Sequence, residues 1–365
     1  MKIATITFHC SYNYGSALQT YALQKYLEMK GHNVKIIDFV LESDFEHYKL
    51  FRTKLYKDNF KYIIADILYL NRNIRRKKSF ERFSKKHLKL TDKRYTSHSN
   101  MNDLNKEFDA FICGSDQIWN LDCTNGIVPA FFLDFVDDSK IKFSYAPSIA
   151  RLKFDNAGLE GLSKYLDRLD FISVREKSTI PMLKKITNKE VTDVIDPTML
   201  ILPDDYKEIM EKTEVNGKYI FLYFIEINKK IIEYSNKLSE EKNLKIVHFT
   251  KRKILSIKNG INAYGISPEK WLSLIKNSEY VVTNSFHATV FSILFKKKFT
   301  TFAPVDSYSR VTDLLEKLDL DSRIHKNESS LSEIDNDIDY ENAFSKLNKL
   351  KEDAEQYLAK ALNRK

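Results

Sequence analysis

The chain has 365 residues, of which 43% are hydrophobic and 13% aromatic. This length predicts two or three domains, and this composition excludes a wholly disordered protein. No stretch approaches the ~20 consecutive apolar residues that a membrane-spanning helix needs, and the N-terminus resembles a strand rather than a signal peptide. Cys10, Cys113 and Cys123 form no CxxC pair, so we expect buried thiols rather than a disulfide framework or a zinc site. We therefore expect a cytoplasmic protein.

The net charge is +9, and it is unevenly distributed. Residues 51–98 hold 15 Lys and Arg against 4 Asp and Glu. A basic segment of this kind can bind nucleic acid, an anionic membrane surface or a phosphorylated ligand. It can equally be the solvated face of a helix. The charge pattern leaves these alternatives open.

Strand and helix signals alternate along the first half of the chain, which is typical of a mostly parallel α/β sheet. A buried strand over 2–8, a helix from about Ser16 to Lys30 and a strand over 33–39 form a βαβ unit. Residues 43–90 are rich in Lys, Arg, Phe and Tyr and are predicted to be helical. Further strands are predicted over 108–114, 142–148, 171–176 and 191–197.

A second series of strands begins near Gly217. Strands are predicted over 218–227, 245–250, near Ala263, over 280–284 and over 298–304. Helices are predicted from Ser267 to about Asn277, over 285–295, from about Tyr308 and over 339–363, and Ser267 is the expected N-cap. The whole pattern predicts two Rossmann-like halves facing a cleft, with ligands at the carboxyl edges of the sheets. The expected domains are 1–212 with a basic helical insertion at about 43–98, 213–335, and a C-terminal helix over 336–365 that packs back on the first half.

Two loops of the first half carry candidate binding residues. Asn13, Tyr14 and Gly15 join the first strand to the first helix, where backbone amides can meet an anion or a sugar hydroxyl. Asp116 and Gln117 follow a strand and offer hydrogen-bond donors and acceptors. The alternative is that the first loop only connects two elements and that Asp116 caps a helix.

Four further residues are candidates for an anion site, because of their residue types and their positions next to predicted strand ends or helix starts. Arg175 follows a strand, and a guanidinium there can contact a carboxylate or phosphate in bidentate fashion. Ser285 is a good N-cap and places His287 in the first helical turn, where a phosphate is also favoured and a histidine can act as acid or base. Arg310 is another candidate anion contact. The alternatives are a surface ion-pair network of Arg175 with Glu176, a solvated charge at Arg310 and a structural role for the histidine. No metal-binding spacing is present.

Together these motifs resemble the polysaccharide pyruvyl transferase family. The matching segments are YNYGSALQTYALQ (12–24), GSDQIWN (114–120), SVRE (173–176), DPT (196–198), SFHATVFSILF (285–295) and SYSR (307–310), with Arg323 in support. They occur in the family's order over roughly residues 1–325. The usual S-F-H-G reads S-F-H-A here, with the small Ala288 in place of glycine.

The resemblance implies a fold similar to GT-B glycosyltransferases. It also implies transfer of pyruvate from phosphoenolpyruvate to two hydroxyls of a sugar, giving a cyclic ketal and phosphate in capsule or exopolysaccharide biosynthesis. His287, Arg175 and Asp116 are then the catalytic candidates, Ser285, His287, Arg175 and Arg310 the donor-binding set, and Asn13, Tyr14, Gly15, Asp116 and Gln117 the acceptor-binding set. Phosphoenolpyruvate is a co-substrate, and no other cofactor or metal is implied.

Two other functions compete with this interpretation. A GT-B-type nucleotide-sugar glycosyltransferase would use the same architecture, helix N-terminus and arginines. A nucleic-acid binder would use 51–98, but the cations are confined to that segment and no nucleic-acid motif is present. We expect instead that 51–98 contacts an anionic membrane, where the sugar acceptor would be linked to a lipid pyrophosphate.

Overall fold

The computed structural model describes residues 1–42, 50, 61–150, 156–251, 254, 256–302, 308–326 and 336–363. The chain divides into two compact units. Unit 1 comprises Met1–His47, Ser84–Ile201 and Leu347–Lys365, and unit 2 comprises Tyr48–Phe83 and Leu202–Lys346. Residues 43–49 and 51–60 of the predicted basic insertion, and Ser307 of the SYSR motif, lie outside the described residues.

Unit 1 is built on a five-stranded parallel sheet in the order β3-β2-β1-β4-β5. These strands are β1 (Lys2–Ile6), β2 (Asn33–Phe39), β3 (Leu90–Tyr95), β4 (Ala110–Cys113) and β5 (Ile141–Ser144). A two-stranded parallel pair, β6 (Ile172–Val174) and β7 (Val191–Asp193), follows in the chain. Every residue of β4 is buried, as expected for a parallel strand covered on both faces.

Helices, strands and loops all contribute residues to the core of unit 1. The helices of unit 1 are α1 (Tyr14–Met29), α4 (Leu104–Glu107), α5 (Leu121–Thr124), α6 (Asn156–Leu166) and α7 (Ile180–Leu183). The core contains Phe39, Phe111 and Trp119, whose ring stacks on that of Phe132 with 5.0 Å between centroids. Trp119 is therefore a packing residue, and its indole nitrogen donates to the Phe131 carbonyl.

Unit 2 repeats the same arrangement, with strand order β10-β9-β8-β11-β12 and every pairing parallel. Its strands are β8 (Tyr219–Tyr223), β9 (Lys245–His248), β10 (Gly260–Asn262), β11 (Tyr280–Thr283) and β12 (Lys298–Thr301). Its helices are α2 (Lys61–Leu68), α8 (Pro203–Lys207), α9 (Lys229–Lys242), α10 (Pro268–Lys276), α11 (Phe286–Leu294) and α12 (Tyr308–Lys317). In both units the first strand lies at the centre with the second and fourth beside it, which is the Rossmann pattern.

Two helices extend across the division between the units. Helix α3 (Leu70–His87) begins in unit 2 and ends in unit 1, and α13 (Tyr340–Leu362) does the same. Within unit 1, the Tyr357 hydroxyl of α13 donates to the Ser144 carbonyl at 2.8 Å. The predicted domain boundary fell at 212/213, whereas the units divide between Ile201 and Leu202, and 48–83 groups with unit 2.

Several predictions about local structure need correction. No strand was predicted over 90–95, where β3 lies, because three of its six residues are exposed and its Lys, Arg and Asp hide the strand pattern of an edge strand. Most strands end earlier than predicted, and the residues that follow them belong to the loops at the carboxyl edges of the sheets. The buried-thiol expectation is right for Cys113 and wrong for Cys123, which is exposed, while Cys10 is half-buried. Among the described residues, no helix is long and apolar enough to cross a membrane.

Candidate functional site

In unit 1, the turn after β4 depends on a glycine. Gly114 has a φ of +119°, and a Cβ at that position would lie 2.2 Å from the Tyr145 carbonyl oxygen. No side chain fits there, so the motif needs glycine for close packing of two loops at the carboxyl edge of the sheet. Ser115 and Asp116 follow at once, and the Ser148 amide donates to the Asp116 carbonyl at 2.7 Å.

Asp116 is the residue that connects this turn to helix α1. Its Oδ2 accepts from the Ser16 hydroxyl at 2.5 Å, and its Oδ1 accepts from the Gln117 amide at 2.9 Å. The residue is buried, with 5% of its surface exposed, and its φ is +68°. The carboxylate is thus held rigidly between two loops that end at the same sheet edge.

The other acceptor candidates have local structural roles as well. Asn13 is the N-cap of α1, and its Oδ1 accepts from the Gly15 amide at 2.8 Å. Helix α1 therefore begins at Tyr14, two residues before the predicted start. Tyr14 and Gly15 are buried in its first turn. Gln117 is half-buried, and its Oε1 accepts from the Asn120 side chain at 2.8 Å.

Arg175 lies beside the Asp116 turn. Its Nη2 donates to the Ser115 hydroxyl at 2.7 Å and pairs with the Asp196 carboxylate at 2.9 Å. The two side chains are 3% and 0% exposed. The alternative of a surface ion pair for Arg175 is therefore wrong, because this pair is buried. The sequence pointed to the Asp-Pro-Thr motif but gave Asp196 no role.

A second buried network in unit 1 was missed in the sequence. His9 Nε2 lies 3.0 Å from Asp38 Oδ1, and the Arg94 Nε donates to Asp38 Oδ2 at 2.9 Å. Burial alone would raise the pKa of Asp38, but hydrogen bonds and charge from His9 and Arg94 hold it below its usual range. These residues lie at or beyond the carboxyl ends of β1, β2 and β3. The predicted strands β1 and β2 could therefore have indicated that His9 and Asp38 lie at the same edge of the sheet.

In unit 2, the S-F-H segment forms the N-terminus of α11. Ser285 is the N-cap, and its hydroxyl accepts from the Ala288 amide at 3.4 Å. His287 lies in the first turn, as predicted, with 7% of its surface exposed. The Thr283 hydroxyl accepts from the Ser285 amide at 3.0 Å and donates to the Tyr223 carbonyl at 2.5 Å. The helix N-terminus is thereby fixed to the ends of β11 and β8.

Asn284 fixes the neighbouring loop in the same unit. Its Oδ1 accepts from the Ile225 amide at 2.7 Å, and its Nδ2 donates to the Glu226 carbonyl at 3.0 Å. Arg310 lies in the first turn of α12 and is half-buried. Arg323 is buried, and its Nη1 donates to the Asn336 carbonyl at 3.1 Å, which is a structural contact.

The structure thus groups the predicted residues by unit. Unit 1 brings together Asp116, Gln117, Arg175 and the first turn of α1, whereas Ser285, His287 and Arg310 belong to unit 2. In the described part of the chain, no three His, Cys, Asp or Glu side chains are grouped as metal ligands would be.

Solved structures show the fold of this protein. The chain is similar to the S. aureus MnaA–UDP structure, with a TM-score of 0.51 and 13% identity over 96% of this chain and 89% of that one. It is also similar to a putative UDP-N-acetylglucosamine 2-epimerase from Listeria monocytogenes, with a TM-score of 0.50 and 10% identity over 97% and 90% of the two chains. Anabaena Alr3699/HepE in complex with UDP and glucose gives a TM-score of 0.49 and 10% identity over 99% of each chain. The fold is therefore α/β of the GT-B type, with parallel sheets.

Sequence comparison identifies the family within this class. A sequence profile of polysaccharide pyruvyl transferases matches residues 13–307. The chain belongs to the polysaccharide pyruvyl transferase family. A comparison of the chain with curated proteins found no match.

Proposed function

We propose that this protein transfers pyruvate from phosphoenolpyruvate onto two hydroxyls of a sugar in a cell-surface polysaccharide or its lipid-linked precursor. The observation that carries the proposal is the family match over 13–307, which includes the S-F-H segment at the N-terminus of α11. A helix N-terminus favours phosphate, because its first amides point outward and its dipole is positive there.

The proposed reaction converts an enol phosphate into a ketal. A proton is added to the methylene carbon, which becomes a methyl group and leaves positive character on the central carbon. One sugar hydroxyl attacks this carbon, phosphate leaves with the electrons of its C–O bond, and the second hydroxyl closes the ring. The two hydroxyl protons replace the one added to carbon and the one taken up by phosphate. Because no net oxidation occurs, the proposed reaction needs no redox cofactor beside phosphoenolpyruvate.

We propose that four residues bind the donor, phosphoenolpyruvate. His287 is the proposed general acid for the methylene carbon, and one such proton transfer is worth about 10²–10⁴-fold in rate. Ser285 and the amides that follow it are proposed to hold the phosphate, with Arg310 as a further cationic contact. Arg175 is proposed to contact the carboxylate or phosphate, and its pair with Asp196 fixes the guanidinium plane.

The acceptor sugar is assigned to the loops of unit 1. Asp116 is the proposed base for an attacking hydroxyl, because its carboxylate is anchored from two sides and cannot drift from the position it holds. Asn13, Tyr14, Gly15 and Gln117 are proposed to contact the sugar.

Ligand-dependent thermal stability tests the proposal first. A ligand at 100 times its dissociation constant adds about 2.7 kcal/mol to stability. We expect stabilisation by phosphoenolpyruvate, with a smaller effect in Arg310→Ala. Stabilisation by nucleoside diphosphates alone would overturn the donor assignment and favour a nucleotide-sugar glycosyltransferase.

Turnover tests the role of His287. We expect His287→Ala to lose phosphate release from phosphoenolpyruvate in the presence of acceptor sugars, while its circular dichroism and melting remain those of a folded protein. His287→Ala that is folded and releases phosphate at a near-normal rate would contradict the assignment.

A further inference from the structure

Helix α3 has an inward face that its contacts define. Arg72 Nη1 donates to the Lys251 carbonyl, and the Ser79 hydroxyl donates to the Gly265 carbonyl at 2.9 Å. Phe80 and Phe83 are buried, at 4% and 1% exposure. At 3.6 residues per turn these four positions fall within about 100° of one another around the helix, so they share one side, and that side packs on unit 2.

The exposed side chains that the structure describes on α2 are apolar. Ile64, Ile67 and Leu68 are 48%, 61% and 70% exposed. Their spacing of three and four residues places them on one face of the helix. Three neighbouring, largely exposed aliphatic side chains on one short helix are unfavourable in water, and such a patch marks an interaction surface.

Exposed cations follow in the first half of α3, which Tyr69 separates from α2. Arg75 and Lys78 are exposed and lie three residues apart, so they are neighbours on the helix surface. The exposed Glu81 lies one turn further along and pairs with Lys77.

We propose that the exposed surface of α2 and the first half of α3, formed by Ile64, Ile67, Leu68, Arg75 and Lys78, docks on the surface of an anionic phospholipid bilayer. Exposed aliphatic side chains followed closely in the chain by exposed Lys and Arg are typical of helices at a membrane surface, where the aliphatic groups insert among lipid chains and the cations stay at the headgroups. The charge sign selects anionic lipid. The proposal does not rest on the chemistry proposed above, since vesicle binding is measured without turnover.

Vesicle sedimentation is the first test. We expect the protein to pellet with vesicles of equal parts phosphatidylcholine and phosphatidylglycerol at low salt, and to release from them at high salt. Pure phosphatidylcholine vesicles should bind far less. Failure to pellet with the anionic vesicles at low salt would overturn the proposal.

Matched variants test this surface itself. Ile67→Ser with Leu68→Ser should lower the partition coefficient on the order of tenfold, because less hydrocarbon is buried. Ile225→Ser with Ile227→Ser is the control, since these two residues are also exposed, at 56% and 70%, but lie outside this surface. Equal loss of vesicle binding in both double variants would refute the assignment. A dimer that forms in the wild type and in the control variant but not in Ile67→Ser with Leu68→Ser would also refute it.

Charge variants separate this surface from the overall positive charge. Each cation removed should cost roughly fivefold in partitioning. Arg75→Glu with Lys78→Glu should therefore abolish binding, whereas Arg75→Lys with Lys78→Arg should retain it. Lys229→Glu with Lys237→Glu makes the same change of net charge on the exposed side of α9. Equal loss of vesicle binding in that control would show that net charge alone determines binding, and would overturn the proposal.

A fluorescence readout places the apolar residues directly. The two native tryptophans, Trp119 and Trp271, are 1% and 0% exposed. A spectral change in Ile67→Trp therefore reports on position 67. We expect its emission to shift to the blue with anionic vesicles, and an unchanged emission while the protein is vesicle-bound would contradict insertion of this surface.

Discussion

Replacing Arg175 by Ala should destabilise unit 1 by about 3–5 kcal/mol. Arg175 and Asp196 are 2.9 Å apart, and their side chains are 3% and 0% exposed. Removing the guanidinium leaves the Asp196 carboxylate buried without the cation of its pair, although the Thr198 amide and hydroxyl still donate to one oxygen and the Ser115 hydroxyl lies 3.5 Å from the other. The large loss of stability comes from keeping the Asp196 charge buried without its cation, rather than from losing the attraction between the two charges.

Urea unfolding followed by tryptophan fluorescence measures this effect. A Trp271→Phe background leaves Trp119, in the core of unit 1, as the only tryptophan. With a denaturant slope of about 3 kcal/mol per molar urea, the midpoint should fall by roughly 1 M or more. Lys106→Ala is the control, because its pair with Asp103 is exposed at 83% and 82% and should matter by less than about 1 kcal/mol.

A double-mutant cycle tests the reasoning itself. Arg175→Met combined with Asp196→Asn removes both charges and keeps similar volumes, so it should be more stable than the sum of the single changes by about 1–3 kcal/mol. Additive effects would refute the argument, as would an Arg175→Ala midpoint within the range of the Lys106→Ala control.

Two further predictions concern unit 1. The pKa of Asp38 is held low by His9 and Arg94, so this carboxylate contributes stability above about pH 4 that is lost as the pH falls through its folded pKa. Asp38→Asn should therefore flatten the loss of stability between about pH 5 and pH 3 in urea titrations, and an unchanged slope would contradict this. Gly114→Ala should abolish folding of unit 1, whereas Gly126→Ala, with φ +108° and nothing within 4 Å of its Cβ, should cost only about 1–2 kcal/mol in the same assay. Equal losses would rule out the predicted steric clash.

The sequence was sufficient for the repeated α/β pattern. Buried strands such as β4 and β11 are continuous apolar runs, and Ser267 and Ser285 signal their helix starts through local capping chemistry. Local interactions within a few residues control these features, so a single sequence carries them. The sequence did not reveal the edge strand β3. Its place at the edge of the sheet allows exposed charged residues, and these hide the strand pattern.

The tertiary structure alone decided which distant residues meet. Ser16 and Asp116 are 100 residues apart in the chain and share a hydrogen bond of 2.5 Å. His9 and Asp38 lie at the ends of adjacent parallel strands, and Arg175 meets Asp196 only because β6 and β7 pair. Parallel strands bring their carboxyl ends to one edge whatever lies between them in sequence. The sequence therefore determined the residue types at each strand end, and strand order determined which of them touch.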